Sequence, residues 1–190
     1  SLEGCDLTCE GDAPVAQFTD TETTGVMFDC CIHDGKSVGV VIAAGASATL
    51  ENNNIHSNTI AGVVVQGEGT EVVLRGNRVH DEKEEGVVIG GGASATLENN
   101  TITDNDLSGV QLQNNHGWRD ATATLTGNTI KGNGQCKIER TEEELAEWTE
   151  EDVEYYVDLY RSPSGLPGVH AEYHSTVTMP PGSNTIEGNG

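Results

Sequence analysis

The sequence predicts an all-β chain wound as a right-handed parallel β-helix with a small α-helical insertion, and three observations lead there. From Gly39 to Asn133 four near-identical blocks start at Gly39, Gly62, Gly86 and Gly109, spaced 23, 24 and 23 residues apart. Self-similarity at that period marks a repeat architecture. Each block holds three short apolar alternations, such as Val40 and Ile42, then Ala48 and Leu50, then Ile55, parted by Gly, Ser and Asn. Period two is the spacing of strands, and those separators are turn residues. Finally, three strands and three turns in about 23 residues enclose no core alone, but they bury their inward side chains when stacked on the next block.

Taken in order, residues 1–38 read as degenerate coils. Leu2, Glu3 and Leu7 match Leu50, Glu51 and Ile55, and Ala16, Gln17 and Phe18 match Val40, Val41 and Ile42. The four regular blocks then align as columns, with coils about 4.8 Å apart. The inward columns are Val40, Val63, Val87, Val110; Ile42, Val65, Ile89, Leu112; Leu50, Leu74, Leu97, Leu125; and Ile55, Val79, Ile102, Ile130. Two polar columns, Asn53, Asn77, Asn100, Asn128 and Asn58, Glu82, Asn105, Asn133, are placed at the turns. There Asn tolerates left-handed backbone angles, and its amide bonds to the coils on either side. In the N-terminal part the same register puts Cys5 and Cys31 in the Asn53 column, within disulfide range, although buried thiols fit equally. Asp29, Glu51, Arg75, Glu98 and Thr126 form a column in which Arg75 lies between two carboxylates, an arrangement that favours this register over a slipped one.

Past Asn133 the pattern breaks. Residues 134–167 read as a helical insertion between coils: Thr141 with Glu144 is a capping box, Thr149 with Asp152 repeats the logic, and Val153, Tyr156, Val157 and Tyr160 share one helical face. Ser162 to Pro167 turns the chain back at Gly168, after which Asn184, Thr185, Ile186 and Asn189 repeat Asn128, Thr129, Ile130 and Asn133. The chain thus reads as a single β-helix domain over residues 1–190 that begins and ends in mid-coil, as a piece of a larger protein would.

Composition narrows the function. With 9 basic and 31 acidic residues the net charge is −22. That balance argues against nucleic acid and anionic lipid, since phosphate recognition needs a basic face. No apolar run is long enough to span a membrane. A hydrophobic content of 35% with 4% aromatics fits a thin aliphatic core.

Candidate sites lie where the repeat is decorated or interrupted. Val41, Val64 and Val88, continued by Gln111, form an outward stripe on the first strand of each coil, and an apolar stripe on an acidic surface calls for a cover. Beside it, residues 114–120 replace a plain turn and bring in Trp118 and Arg119; the insertion supplies Trp148, Tyr156 and Tyr160. These nine residues are the candidate binding surface. His33, His56 and His80 share one outward column and form a weak candidate metal site, weakened by its continuation as Thr103 and Lys131. Cys5, Cys9, Cys30 and His33 offer a second zinc combination at spacings that match no familiar pattern.

Blocks of the form GVVI and ATLENN, alternating with LRGNRVHD at Leu74 to Asp81, resemble the β-helix repeats of the carbohydrate-binding and sugar-hydrolysis superfamily. Within it, the alternation is similar to F-box proteins that carry a β-helix substrate-recognition region. The likeness covers about residues 15–134 and 168–190. The F-box resemblance implies a receptor that grips a protein; the wider superfamily implies lyase, hydrolase or epimerase chemistry on a polysaccharide. A lyase needs calcium-binding carboxylates and a basic residue in a groove, and Arg75, Arg119 and Lys131 do not converge in the repeat register. The reading is therefore a non-catalytic scaffold for a protein partner, with no catalytic residue and no cofactor. The alternatives are a glycan-active enzyme, which alone would call for calcium, and a structural or ice-binding surface on Thr49, Thr96 and Thr124, a column broken by Val73.

Overall fold

In the computed structural model, which describes residues 1–113, 120–134, 168–171, 175–180 and 183–189, the apolar alternations become strands. Strands β1 (Leu2–Glu3) and β2 (Asp6–Leu7) open the winding. The next coil contains β3 (Ala16–Thr19), β4 (Thr24–Phe28) and β5 (Cys31–His33), followed by β6 (Val40–Ala43), β7 (Ser47–Glu51) and β8 (Asn54–His56). Then come β9 (Val63–Gln66), β10 (Glu71–Arg75) and β11 (Arg78–His80), and β12 (Val87–Gly90), β13 (Ser94–Glu98) and β14 (Thr101–Thr103). The last coils hold β15 (Val110–Gln113), β16 (Thr122–Thr126) and β17 (Thr129–Lys131), then β18 (Val169–Ala171), β19 (Thr176–Thr178) and β20 (Thr185–Glu187). No helix occurs among the described residues, and the helical insertion expected at 134–167 lies almost wholly outside them.

Every pairing is parallel and joins equivalent strands of successive coils, so three sheets run the length of the solenoid. The first is ordered β1-β4-β7-β10-β13-β16-β19, the second β2-β5-β8-β11-β14-β17-β20 and the third β3-β6-β9-β12-β15-β18. The columns read from sequence are these registers: Leu50, Leu74, Leu97 and Leu125 pair in line, as do Ile55, Val79, Ile102 and Ile130. All eight side chains are 1% exposed or less. Period two fixes this outcome, because a slip of one residue would turn the aliphatic set outward and the Thr, Glu and His set inward.

The turns are set by polar files. Asn77 shows the pattern: its backbone N–H and its Nδ2 both donate to Asn100 Oδ1, at 2.9 and 3.1 Å, and Nδ2 also donates to the Leu50 carbonyl at 2.8 Å. Asn53, Asn100 and Asn128 repeat it, and the file runs on to Asn184. These amides are 2% exposed or less from Asn53 to Asn128, yet satisfied. The left-handed backbone expected of them belongs instead to the residue before, Asn52 and Asn99 at φ 55° and Gly76 and Gly127 at φ 65° and 70°. That placement turns the chain and leaves the next amide free to bond along the solenoid. At the start of each regular coil Gly is required by crowding. A Cβ on Gly86 would sit 2.6 Å from the Gly109 carbonyl oxygen and 2.8 Å from Asn105 Nδ2.

Two N-terminal assignments shift by one residue. Phe28, not Asp29, pairs with Glu51, and Cys30, not Cys31, takes the Asn53 position. Cys30 donates its N–H to Asn53 Oδ1 at 2.9 Å and its sulfur receives the Cys5 N–H at 3.4 Å. Cys5, Cys9, Cys30 and Cys31 are free thiols.

Candidate functional site

Outward side chains of the second sheet include the stacked histidines, a thiol, a carboxylate and a guanidinium. Alternation along these three-residue strands puts the first and third residues outside and the middle one inside, where Ile32, Ile55 and Val79 are buried. One outer file is thus Asp6, Cys31, Asn54 and Arg78, and the other His33, His56 and His80, continuing to Thr103 and Lys131 as the sequence predicts.

The imidazoles stack. Ring centroids are 5.3 Å apart between His33 and His56, at 9° between planes, and 4.9 Å between His56 and His80, at 17°. Each ring also reaches diagonally to the other file of the coil before. His33 Nε2 lies 2.8 Å from Asp6 Oδ1, His56 Nε2 lies 3.6 Å from Cys31 Sγ, and His80 Nε2 lies 3.0 Å from Asn54 Oδ1. The Nδ1 side is held by the residue at the following bend: Asp34 at 2.7 Å, Ser57 Oγ at 3.1 Å and Asp81 at 2.5 Å. Arg78 Nη1 also lies 2.7 Å from His80 Nε2.

Environment then separates His33 from His56. The Asp34 and Asp6 carboxylates raise the pKa of His33. Burial lowers that of His56, and the neighbouring imidazoles lower it further. One residue past Asp81, Glu82 occupies the second polar file. It is wholly buried, and its carboxylate accepts from Asn58 N–H at 2.7 Å and Asn58 Nδ2 at 3.3 Å. Burial outweighs those two bonds and pushes its pKa up to about 8.

The remaining sequence-predicted residues divide in two. Val41, Val64, Val88 and Gln111 do pair in register on the third sheet, between Gln17 and His170. Their exposure falls along the file: Val41 and Val64 are half-buried, while Val88 and Gln111 are 7% and 5% exposed. Trp118, Arg119, Trp148, Tyr156 and Tyr160 lie outside the described residues. Arg75 donates from Nε to Glu98 at 2.9 Å, and Glu51 acts on it only through the longer-range field. The combination Cys5, Cys9, Cys30 and His33 does not form, because Cys30 is 2% exposed within the Asn file whereas His33 stands on the outer face. What does converge is Asp6, Cys31 and His33, whose ligand-type atoms all lie within 4.8 Å of one another. Sequence reading missed Asp6 and Cys31 as partners of the histidines. Counting two residues back from each His would have found Cys31, Asn54 and Arg78.

A family model described as a right-handed beta helix region matches residues 15–153. No curated protein matches the chain. Among solved structures, a double mutant of the periplasmic alginate epimerase AlgG superposes with a TM-score of 0.73 at 13% identity, covering 98% of this chain and 39% of the other. Unmutated AlgG gives 0.64 at 15% identity over 94% of this chain and 39% of its own. Pectate lyase Pel9A gives 0.50 at 16% identity over 61% of this chain and 36% of its own. The chain thus spans about two fifths of the length of these structures, and identities so low establish a shared fold.

Proposed function

The chain belongs to the right-handed beta helix region family, and from that premise we propose that it is a non-catalytic β-helix scaffold that recognises a protein partner. One observation carries this reading. The ring nitrogens of His33, His56 and His80, and Nε of Arg75, already lie close to polar partners in the chain itself. A general base needs a lone pair directed at substrate, and a charge stabiliser needs an uncommitted cation. Those groups hold coil to coil instead, the histidines on the second sheet and Arg75 on the first. The half-buried valines at 41 and 64 give a partner an apolar strip on the third sheet. The likeness of Leu74 to Asp81 to F-box β-helix proteins supports the same reading, with the solenoid as the part that grips a substrate protein.

A second reading is favoured by a separate observation: the solved structures of this fold include an alginate epimerase and a pectate lyase. In it the solenoid binds an extended acidic polysaccharide along the second sheet, Arg78 meeting a carboxylate and His80 with Asp81 moving a proton.

Incubation with uronate polymers, with and without calcium, separates the two. The scaffold reading expects no ultraviolet-absorbing unsaturated product, no new reducing ends and no change in uronate stereochemistry. Turnover that disappears in His80→Ala would overturn it. Conversely, the wild-type protein is expected to capture a protein partner, and Val64→Glu to lose that capture while its β-sheet circular dichroism stays unchanged.

A further inference from the structure

The diagonal contacts on the second sheet are equivalent in geometry but not in chemistry. The pair Asn54 with His80 is an amide against an imidazole, but one and two coils earlier the same positions hold a thiol and a carboxylate. Cys31, His33 and Asp6 therefore meet through the β-helix register itself: Asp6 pairs with Cys31 across β2 and β5, and His33 follows Cys31 by two residues on the same face.

We propose that Asp6 Oδ1, Cys31 Sγ and His33 Nε2, with solvent in the fourth position, bind one zinc-like divalent transition ion. Four features of the geometry carry this. The three atoms lie within 4.8 Å of one another. A tetrahedral ion with bonds of about 2.0 Å to nitrogen and 2.3 Å to sulfur sets such ligands about 3.5 Å apart. The closest pair, His33 Nε2 and Asp6 Oδ1 at 2.8 Å, shares a proton that an ion would replace, so those two atoms need part only by about half an ångström. His33 Nδ1, on the far side of the ring, lies 2.7 Å from Asp34 Oδ2. A carboxylate behind the imidazole is the support that metal-bound histidines use to fix ring orientation and strengthen the lone pair. The side chains are also reachable, since Asp6 is exposed and Cys31 and His33 are half-buried.

The donor set selects the ion. A thiolate with one imidazole and one carboxylate suits zinc, cobalt or nickel, whereas calcium and magnesium take oxygen donors, of which this site offers one side chain. On binding, the Cys31 thiol proton and the proton between His33 and Asp6 are released to solvent, and no oxidation state changes. The ligands come from β2 and β5, so the ion ties the first two levels of the second sheet together. There the Asn file has given way to Cys30 and Cys5.

Titration of the full chain with cobalt tests the assignment. One equivalent is expected to give tetrahedral visible bands and a near-ultraviolet thiolate charge-transfer band, both displaced by zinc. The charge-transfer band should vanish in Cys31→Ser and persist in Cys9→Ser and Cys136→Ser, and His33→Gln and Asp6→Asn should each weaken binding tenfold or more. On the wild-type protein, zinc should also protect Cys31 from alkylation, read by peptide mapping, which requires no variant to fold. A wild-type chain without the charge-transfer band, a band surviving in Cys31→Ser, or Cys31 alkylated equally with and without zinc would each overturn the site.

Discussion

Glu82 shows how much one residue can depart from its file. Its neighbours in the second polar file are Asn58, Asn105 and Asn133, all buried amides, and it replaces them with a group that titrates near 8 instead of 4.5. The folded state therefore holds a proton that the unfolded chain has lost between those two values, so stability is greatest below pH 4.5 for this group and declines as pH rises towards 8. A shift of that size corresponds to on the order of 5 kcal/mol across the window. Glu82→Gln is expected to unfold at about the wild-type urea concentration at pH 5 and at a clearly higher one at pH 9; parallel pH profiles of the two proteins would show that the carboxyl is not the cause. Asn77→Ala is expected to cost about 2–4 kcal/mol in urea denaturation, since it strips the acceptor from Asn53 and the donors to Leu50 and Asn100. At this scale the sequence was most legible where an Asn anchored the count. Before Asn53 no such anchor exists, and Phe28, Asp29, Cys30 and Cys31 were aligned one place out; the His33 and His56 pairing recovers the register. The left-handed bend belongs to Asn52 and Asn99 and not to the buried amide that follows, and Gly76 and Gly127, which precede the amide in the other coils, carry that signal in the sequence.

Among elements, alternation did nearly all the work. Strands of three to five residues with one face apolar have a single register that hides that face, which is why the inward columns and the outward His file were both readable. Leu97, fully buried on β13, illustrates the core: Leu97→Ala should lower stability by about 2–5 kcal/mol. Gly86→Ala, which removes nothing, should still destabilise measurably, because its new methyl meets the backbone of the next coil. If thermal melts show Gly86→Ala equal to wild type, the coil spacing at that corner is looser than described. The polar face of the second sheet was only half legible. Its histidines stand out, but the diagonal contact between files follows from side-chain direction on a twisted sheet, which spacing along one strand does not reveal. The insertion speaks a different periodicity from the coils, and its helices at 134–167 remain an expectation from capping and spacing.

Across the whole molecule, charge opposes what stacking favours. A net charge of −22 on a solenoid loads it with self-repulsion that salt screens within about 10 Å at 0.1 M. Raising sodium chloride from 0.05 to 1 M is expected to increase the melting temperature by several degrees, and a flat or falling dependence would show that the carboxylates are mutually compensated. The fold survives in solved structures sharing 13–16% of its residues because its requirements are few: an aliphatic file, a polar file and room at the corners. Those requirements say little about the ligand, which is why architecture was readable and partner was not. The amide files hold one more implication. In both, the backbone N–H of each member reaches forward to an oxygen of the member one level on, from Asn53 to Asn184 and from Asn58 to Asn189. The solenoid is thus an arrow. A duplicated 23-residue block spliced in the same sense would extend both arrays seamlessly, whereas a coil facing the other way would set donor against donor.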